Sequence, residues 1–554
     1  MSRSLFIALL VASTTAGLSV PAAARPSLHR SPAKKSKHAP RPITARKGPA
    51  RRGALPAIVG TTQPRAVADP SDPHEQRIHA LRERLDGVLH DSPLRRTRVG
   101  IAVMTASDGD VLFAHNADQL FNPASNTKIF TTAAALSQLG PDYRYSTGLY
   151  APPPDAEGVI HGDVDLRGSG DPSLAATDLA DLSERVAAAG VTRIEGAVLA
   201  NGRFRDPQDP DLSVGEQALI LHRNTYAIHV RPTTPGHAPA VDIQPRFGGL
   251  FLVENGATTV GRGRTRLRVD AYRSGERVVI VVKGRINTRS ETVVRQHLEG
   301  APLAAATLRG ALADVGVEVA GGVRVGGLPG ATPLLAEHLS APLSVICRVS
   351  NKDSNNFVAE AIFRTLGGER FGVPGTLAKG VRAVDELLGP LGFERGSYVL
   401  ENGSGLTHAN RFRPAGLARV LRHLYFDLSV APEFLSSLAV GGIDGTIRGR
   451  FYGDAVGLVR AKTGTLSGVS ALSGYVGDDG EVLIFSILVD GIRHRVLAGV
   501  RQAQVRMVQA MLAYLRADRP RPTRPDVVQP VAPEATPDEE EGETPIDDGD
   551  VGGQ

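Results

Sequence analysis

A segment of different texture, residues 149–300, divides the globular part of this chain into two pieces. It consists of short β-branched runs separated by Gly, Pro and Asp, with one helical pattern at 179–189 that Gly190 ends. The flanking pieces, 75–148 and 301–517, combine amphipathic helical patterns with β-strand patterns. We therefore predict an α/β (α+β) fold in which one discontinuous domain contains one or two nested β-rich inserted domains.

Hydrophobic periodicity and turn residues predict the elements of the two flanking pieces. Asn122 is expected as a helix N-cap with Pro123 in the first turn, and Gly140 is expected to end that helix. The predicted helices are 76–92, 122–139, 302–315, 342–349, 354–366 and about 495–515. The predicted strands are 99–104, 111–114, 459–464, 470–476 and 482–489, with 278–282 inside the insertion.

The composition is that of an ordinary globular protein. Hydrophobic residues are 42% and charged residues 22% of the 554, which excludes a chain disordered throughout, a collagen and a polytopic membrane protein. A single cysteine, Cys347, excludes an internal disulfide framework and a multi-cysteine metal site, and we expect it to be a buried small apolar residue. The histidines form no sequence cluster that suggests a metal, so we expect neither a metal nor a cofactor.

The two ends of the chain are predicted to lie outside the fold. Residues 1–24 have a positive start at Arg3, an apolar run and the small residues Ala22–Ala24, which together predict a secretory signal and export to the periplasm. Residues 25–74 are basic and rich in Pro and Ala, and residues 518–554 are rich in Pro and then acidic. Neither shows apolar periodicity, so both are predicted to be disordered.

The charge of the basic segment allows two interpretations. It is either a plain solvated linker, which we favour, or an arm that makes weak contact with anionic envelope polymers. No aromatic residues interleave its basic residues, so nucleic-acid binding is not expected.

The first chemically informative pattern is Ser125-Asn126-Thr127-Lys128. Ser31-Pro32-Ala33-Lys34 has the same spacing, but it lies in the basic segment with no helix to hold it. In the first turn of the predicted helix, unpaired N–H groups and the helix dipole would stabilise an oxyanion at Ser125. Lys128 lies on the same face, and a buried lysine that loses its proton can deprotonate the serine. The alternative is a serine in a helix turn beside a surface lysine.

The second pattern is Ser354-Asn355-Asn356, at the start of a predicted helix. The Ser354 hydroxyl can relay a proton between a lysine and a leaving amine. The Asn356 amide can bond both a lysine and a substrate carbonyl. The alternative is simple N-capping of the helix by Asp353 or Ser354.

The third pattern, Lys462-Thr463-Gly464 followed by Thr465, lies on a predicted strand. Such a strand can align an extended substrate by backbone hydrogen bonds. Lysine and threonine offer donors to a substrate carboxylate, and glycine allows close approach of the substrate. The alternative is an ordinary edge strand.

Taken together in this order, the three patterns resemble the active-site motifs of serine acyltransferases acting on D-alanyl-D-alanine and of serine β-lactamases. Over roughly 75–517 the chain is similar to the D-Ala-D-Ala carboxypeptidase/endopeptidase class (class C) of low-molecular-mass penicillin-binding proteins. This resemblance implies that 75–148 and 301–517 form a transpeptidase-like catalytic domain, which we call the catalytic part, with an antiparallel sheet flanked by helices and β-rich insertions. The further segments that carry it are Asn122-Pro123-Ala124-Ser125, Leu139-Gly140-Pro141-Asp142, Gly168-Ser169-Gly170-Asp171-Pro172, Asn402-Gly403-Ser404-Gly405-Leu406 and Gly445-Thr446-Ile447-Arg448.

The resemblance also implies a mechanism on peptidoglycan stem peptides or their crosslinks. Ser125 attacks the penultimate D-alanine carbonyl, and Lys128 accepts its proton. Ser354 and Lys462 pass a proton to the leaving amine, and Asn356 holds the peptide carbonyl. β-Lactam antibiotics would acylate the same serine.

Substrate binding is implied by the same resemblance. Lys462 with Thr463 meets the terminal carboxylate, while the backbone N–H groups of Ser125 and Thr465 form the oxyanion hole. Asp171 either meets the free amino group of the substrate or caps its own turn.

The chain departs from the resembled pattern at Asn355 and Asn402, where aspartate is frequent in that class. Neither position is an essential motif residue, so the implied activity stands while substrate preference is left open. Two rival functions are a β-lactamase or esterase on the same scaffold and a non-catalytic peptidoglycan-binding envelope protein. Carboxypeptidase and endopeptidase preference are not distinguished by the sequence.

Overall fold

The computed structural model describes residues 72–202, 218–244, 250–274, 277–297, 300–478 and 480–517. The predicted signal at 1–24, nearly all of the basic segment and the acidic segment 518–554 lie outside this part of the chain. Among the described residues, no helix has the length and apolar character needed to cross a membrane.

The helices of the described part are α1 (Pro73–Leu89), α2 (Thr127–Leu139), α3 (Ala176–Ala188), α4 (Gly300–Asp314), α5 (Leu343–Lys352), α6 (Asn356–Phe371), α7 (Leu377–Leu388), α8 (Pro414–Phe426), α9 (Ala431–Ser437) and α10 (Leu497–Leu515). The strands are β1 (Arg98–Thr105), β2 (Val111–His115), β3 (Ser146–Tyr150), β4 (Val159–Ile160), β5 (Val164–Gly168), β6 (Arg193–Ile194), β7 (Val198–Asn201), β8 (Thr225–Arg231), β9 (Ala240–Gln244), β10 (Phe251–Val260), β11 (Arg266–Ser274), β12 (Arg277–Asn287), β13 (Thr292–His297), β14 (Glu318–Val319), β15 (Val323–Val325), β16 (Leu334–Leu339), β17 (Ala439–Val440), β18 (Val459–Leu466), β19 (Val469–Asp478) and β20 (Glu481–Asp490).

A six-stranded antiparallel sheet, in the order β17-β18-β19-β20-β1-β2, forms the centre of the catalytic part. Helices cover both faces of this sheet. Because successive side chains of a strand point to opposite sides, one strand contributes to two hydrophobic cores. In β20, Ile484 and Leu488 belong to the core shared with α2 and α5–α8, whereas Phe485 and Ile487 belong to the core shared with α1 and α10. This confirms the predicted antiparallel sheet between helices.

The insertion has its own hydrophobic core and several additional sheets. Its five-stranded sheet has the order β15-β7-β5-β3-β16, and α3 packs on α4 beside it. Three smaller sheets have the orders β14-β6-β4, β13-β8-β9 and β10-β12-β11.

The prediction that the catalytic part resumes at residue 301 is wrong. Leu303 and Leu308 of α4 are buried in the core of the insertion, and β16 pairs with β3 through Leu339↔Ser146. The insertion therefore extends to about residue 339. The helical pattern at 302–315 was assigned to the wrong core because periodicity identifies a buried face without naming its partner.

Helices α7, α8 and α9 were not predicted. In α7, Gly380 weakens the helical pattern, because glycine is a poor helix former. The structure shows why glycine is present: a Cβ at this position would lie 2.5 Å from Cδ1 of Phe363. Close packing of α7 on α6 requires the glycine there, and this requirement is visible only in three dimensions.

Candidate active site

Ser125 lies in a short 3-10 turn, Ala124–Asn126, immediately before α2. The prediction that Asn122 caps the helix and Pro123 begins it is wrong, because α2 begins at Thr127. The Asn126 N–H donates to Pro123 O at 3.0 Å, which tightens the chain into the 3-10 turn. Gly140 ends α2 as predicted.

The residue before the nucleophile candidate has a strained backbone. Ala124 has φ of 44°, and its N–H donates to Asn122 Oδ1 at 2.7 Å. A non-glycine residue in this left-handed region is uncommon, and such strain is found preferentially at functional sites. The turn leaves Ser125 partly exposed while its neighbours are buried.

Lys128 is fully buried, and its side-chain nitrogen joins three segments of the chain. Nζ donates to Ser125 Oγ at 3.0 Å, to Asn356 Oδ1 at 2.7 Å and to the Ser404 carbonyl oxygen at 2.6 Å. The surface-lysine alternative is therefore excluded by the geometry. The first two patterns meet at one amine.

The second pattern sits in the short connection between α5 and α6. Asn355 is the N-cap of α6, and its Oδ1 accepts from Val358 N at 3.0 Å. The alternative in which Asp353 or Ser354 provides the cap is wrong. Because Asn355 caps the helix, the Ser354 hydroxyl is left available, and Ser354 itself has a left-handed φ of 57°.

The third pattern lies on β18. Lys462 is fully buried, and its Nζ donates to Ser354 Oγ at 2.8 Å and to the Thr463 carbonyl oxygen at 2.8 Å. Thr463 Oγ1 donates to Thr446 Oγ1 at 2.8 Å. Each of the two serines predicted from the sequence is thus hydrogen-bonded to a different buried lysine.

Gly464 has a structural role that differs from the predicted one. A Cβ at this position would lie 2.8 Å from Pro123 O and 3.0 Å from the Ala124 Cβ. The glycine therefore lets β18 pack directly on the turn that holds Ser125. Room for an approaching substrate was the predicted reason, and contact between two protein segments is the observed one.

One edge of β18 is open beside the nucleophile. Strand β17 pairs only with Arg460 and Ala461, so no described strand covers the edge from Thr463 to Leu466. An open edge offers backbone N–H and C=O groups to an extended peptide.

Burial sets the protonation of both lysines. It lowers the pKa of Lys128 to about 7, although the nearby Glu360 carboxylate opposes the shift. Burial also holds the pKa of Lys462 well below its usual value, and the positive charges of Lys128 and Arg450 lower it further. A lysine with a pKa near neutrality can serve as a general base.

The segment Asn402–Leu406 positions Lys128, a role that the sequence did not indicate. Glu360 Oε1 accepts from Ser404 N at 2.8 Å, which aims the Ser404 carbonyl at the lysine. A Cβ at Gly405, which has φ of 77°, would collide with the Ala124 carbonyl oxygen. At Asn402, the side-chain Oδ1 accepts from Gly405 N at 2.9 Å, so the amide supplies the acceptor that an aspartate would supply.

Two partly buried arginines beside β18 were also missed. Arg501 on α10 donates from Nη2 to Thr465 Oγ1 at 3.1 Å, and its buried Nε has no hydrogen-bond partner among the described residues. The buried Nη1 of Arg450 likewise has no partner in the described part of the chain, and burial together with Arg501 lowers the pKa of Arg450 to about 10. No described carboxylate is within ion-pair distance of either. In the sequence, Arg450 is marked only by its position near the third pattern. Arg501 is marked only by its position within the last helical pattern.

Asp171 makes no hydrogen bond to these residues. Its Oδ1 accepts from Ser173 N at 2.8 Å and from Ser173 Oγ at 2.6 Å, as in a turn that caps itself. Burial raises the pKa of this carboxyl group. Contact with a substrate amino group stays a prediction. Cys347 is buried as predicted, and burial raises the pKa of its thiol.

Residues 81–511 match the D-Ala-D-Ala carboxypeptidase 3 (S13) family. The D-alanyl-D-alanine carboxypeptidase of Actinomadura sp. (strain R39) is 33% identical over 483 residues, which cover 81% of this chain and 88% of that relative. The D-alanyl-D-alanine carboxypeptidase DacB of Haemophilus influenzae is 24% identical over 420 residues, covering 71% and 86% of the two chains.

The fold is similar to that of a solved structure, penicillin binding protein 4 (dacB) from Haemophilus influenzae. The TM-score is 0.64 at 23% identity, with 78% of this chain and 99% of the solved chain covered. The family match spans the catalytic part and the insertion alike, and it confirms the resemblance found in the motifs. The chain belongs to the D-Ala-D-Ala carboxypeptidase 3 (S13) family.

Proposed function

We propose that this chain hydrolyses the D-Ala-D-Ala bond of peptidoglycan stem peptides through an acyl-enzyme on Ser125. One observation carries the proposal: two buried lysines each hold a serine hydroxyl, Lys128 with Ser125 and Lys462 with Ser354. Such an arrangement provides one nucleophile–base pair and a second proton path. Incubation of a purified stem pentapeptide with the protein tests it, because release of free D-alanine is expected and an intact pentapeptide would contradict the proposal.

In the acylation step, Lys128 takes the proton of the Ser125 hydroxyl while Oγ attacks the carbonyl of the penultimate D-alanine. The backbone N–H groups of Ser125 and Thr465 stabilise the oxyanion. When the C–N bond breaks, Ser354 gives its hydroxyl proton to the leaving amine and recovers one from Lys462. These steps require that the two lysines together carry one positive charge before acylation, on Lys462, while Lys128 is neutral. The lowered pKa of both amines agrees with a pair that is not doubly charged.

Deacylation reverses the proton path. Water attacks the ester carbonyl and gives a proton through Ser354 to Lys462, while Lys128 returns its proton to Ser125 Oγ. Asn356 holds the acyl-side peptide carbonyl with its amide N–H, because its Oδ1 is already bonded to Lys128. The chain's own residues therefore complete the cycle. If the leaving amine belongs to a second stem peptide, the same steps cleave a crosslink.

A β-lactam presents a strained amide in the same place, so we propose that penicillins acylate Ser125. The long insertion and the family favour slow release of the acyl group over β-lactamase action. The formed Lys128–Ser125 and Lys462–Ser354 hydrogen bonds speak against a non-catalytic binding protein. Since the substrate polymer is extracytoplasmic, we also propose that residues 1–24 direct export.

We propose that the positive charge that binds the terminal carboxylate of the substrate comes from Arg501 and Arg450. Lys462 is a poorer candidate, because its Nζ already donates to Ser354 and Thr463 and its proton is needed for transfer to the leaving amine. Arg501 contacts Thr465 on the open strand edge, the charge of Arg450 acts on both Arg501 and Lys462, and each arginine has a buried N–H group that no described residue accepts from. Unpaired buried donors are costly, and a carboxylate would satisfy them.

Replacement Arg501→Gln should therefore separate two substrates. For a peptide ending in a free D-alanine carboxylate, kcat/KM should fall roughly 10- to 100-fold, the usual scale for a lost charge-assisted hydrogen bond. For the same peptide ending in a D-alanine amide, it should change little. The measurement is D-alanine or D-alaninamide release at low substrate concentration.

Arg506→Gln is the matched control, because Arg506 lies on the same helix and pairs with Asp91 at the surface. It should leave both rates near their original values. An equal fall for the two substrates in Arg501→Gln would assign Arg501 to local structure and refute the carboxylate role.

A further inference from the structure

One end of the three-stranded sheet β10-β12-β11 carries an unusual excess of positive charge. Residues 262–289 include nine arginines or lysines and two acidic residues. We call the basic end of its outer surface the basic face and define it by Arg262, Arg264, Arg266, Arg268, Lys283, Arg285 and Arg289. All seven side chains are exposed.

Strand register places like charges directly opposite each other on the basic face. In the antiparallel pair β11·β12, Arg266 lies opposite Arg285 and Arg268 opposite Lys283. Residues opposite each other share one face, with Cβ atoms about 5 Å apart, and like charges in this position destabilise a sheet. The arrangement is therefore not explained by the stability of the fold.

The opposite face of the sheet shows why these positions point outward. Ile280, Val282 and Ile286 alternate with the basic positions of β12 and are buried in the core of the insertion. Alternation requires only that the outward residues be polar. It does not require that both strands carry a basic residue at two successive outward positions.

Intramolecular partners account for little of this charge. Arg268 pairs with Asp270 at 2.7 Å, and its side chain is still 79% exposed. Among the described residues, no carboxylate lies within ion-pair distance of Arg266, Lys283 or Arg285. The connection between β10 and β11 brings further basic residues to this end, and Asn287 fixes it by donating to the Gly263 carbonyl oxygen at 2.9 Å.

We propose that the basic face binds a linear phosphodiester polymer outside this chain. Arginine, which makes up six of the seven residues, presents a planar fork of donors that matches phosphate oxygens. Opposed pairs such as Arg266 and Arg285 can hold one phosphate between them, and successive outward positions along a strand, about 7 Å apart, can follow the next. Binding would keep the enzyme near an anionic polymer while its site acts on peptides.

The basic face and the proposed catalytic residues lie in different parts of the sequence and pack on different hydrophobic cores. It belongs to the insertion, whereas Ser125, Lys128 and Lys462 belong to the catalytic sheet and its helices. Loss of binding therefore need not change acylation by penicillin, and the inference does not depend on the proposed function.

The test compares two charge-reversed forms of the full chain. The face variant carries Arg266→Glu, Lys283→Glu and Arg285→Glu, and the control carries Arg84→Glu, Arg96→Glu and Arg395→Glu, which are exposed residues elsewhere. Both have the same net charge and keep the basic N-terminal segment, so that segment's contribution cancels. The probe is fluorescently labelled inorganic polyphosphate, titrated over a series of salt concentrations.

At low salt the face variant should bind polyphosphate at least about tenfold more weakly than the control, and the slope of log affinity against log salt should fall by about 2–3. Both variants should keep the original melting temperature and penicillin labelling rate. Should the face variant misfold, the glutamine versions of the same three residues replace it, with a smaller loss expected.

Equal affinity of the face variant and the control would overturn the proposal. The proposal would also be overturned if the original chain bound polyphosphate no better than the face variant. That result would be obtained if the acidic residues 534–550 of the same chain competed for the basic face. Polyglutamate of matched length gives the third comparison: weaker binding than polyphosphate is expected, and equally tight binding with the same loss in the face variant would overturn the assignment to a phosphodiester, because it would show recognition of charge alone.

Discussion

Replacing Ser125 with alanine should abolish covalent labelling by fluorescent penicillin, with a loss of at least about 10⁴-fold in acylation rate, because the oxygen that forms the ester is removed. The side chain lost is small and partly exposed, so the melting temperature should barely change. Gel fluorescence over time gives the rate, and a thermal melt gives the stability.

Ser31→Ala is the matched control, because Ser31 has the same spacing to a lysine in the basic segment. It should label at the original rate. If Ser125→Ala were labelled as fast as the original chain, the nucleophile would have to be another residue.

Replacing Lys128 with alanine should reduce acylation about 10²- to 10⁴-fold, the usual contribution of a positioned general base. The serine would remain, but at its ordinary pKa it is a weak nucleophile. Because Nζ also contacts Asn356 and Ser404, stability should be measured alongside. Lys128→Met is a second variant that fills the same volume without the amine.

The pH profile separates a lost base from a structural defect. The pKa of Lys128 is lowered to about 7, so the amine is protonated and inactive below this pH and neutral above it. Acylation by the original chain should therefore rise with pH between about 6 and 8, and it should fall again at higher pH, where Lys462 loses the proton that it supplies to Ser354. In Lys128→Met this rise should vanish, whereas a merely structural effect would lower the rate and keep the rise.

The residues of the candidate site could be located in the sequence because their signal is local. Ser125 and Lys128 share one turn of chain, and the three patterns occur in a fixed order. The pairing of lysines with serines across the site was predicted only by resemblance. Hydrogen bonds between residues 108 positions apart, such as Lys462 with Ser354, have no periodic signature in the sequence.

Supporting residues were not predictable in the same way. Glu360 acts on Lys128 through the backbone of Ser404, and in the sequence it is one more acidic residue on a helix. Arg501 reaches Thr465 because α10 packs on β19, the strand next to β18, and a helical pattern alone does not specify that packing.

The fold shows the same division between local and tertiary information. The hairpin at β1 and β2 and the final strands follow from alternation and turn residues, and they were predicted to within a few residues. The 3-10 turn at Ser125 was not, because it depends on β18 packing against Ala124 through Gly464. The boundary of the insertion was misplaced for a similar reason, since α4 packs against strands that precede it.

The central claim is that a stem peptide forms an ester with Ser125. The most direct measurement is mass spectrometry of the protein quenched in acid shortly after mixing with a stem pentapeptide, followed by peptide mapping. The account predicts a tetrapeptidyl adduct on the peptide that contains Ser125, together with one released D-alanine for each acylation event. Release of D-alanine with no adduct on that peptide, and with the adduct found on a different residue, would contradict it.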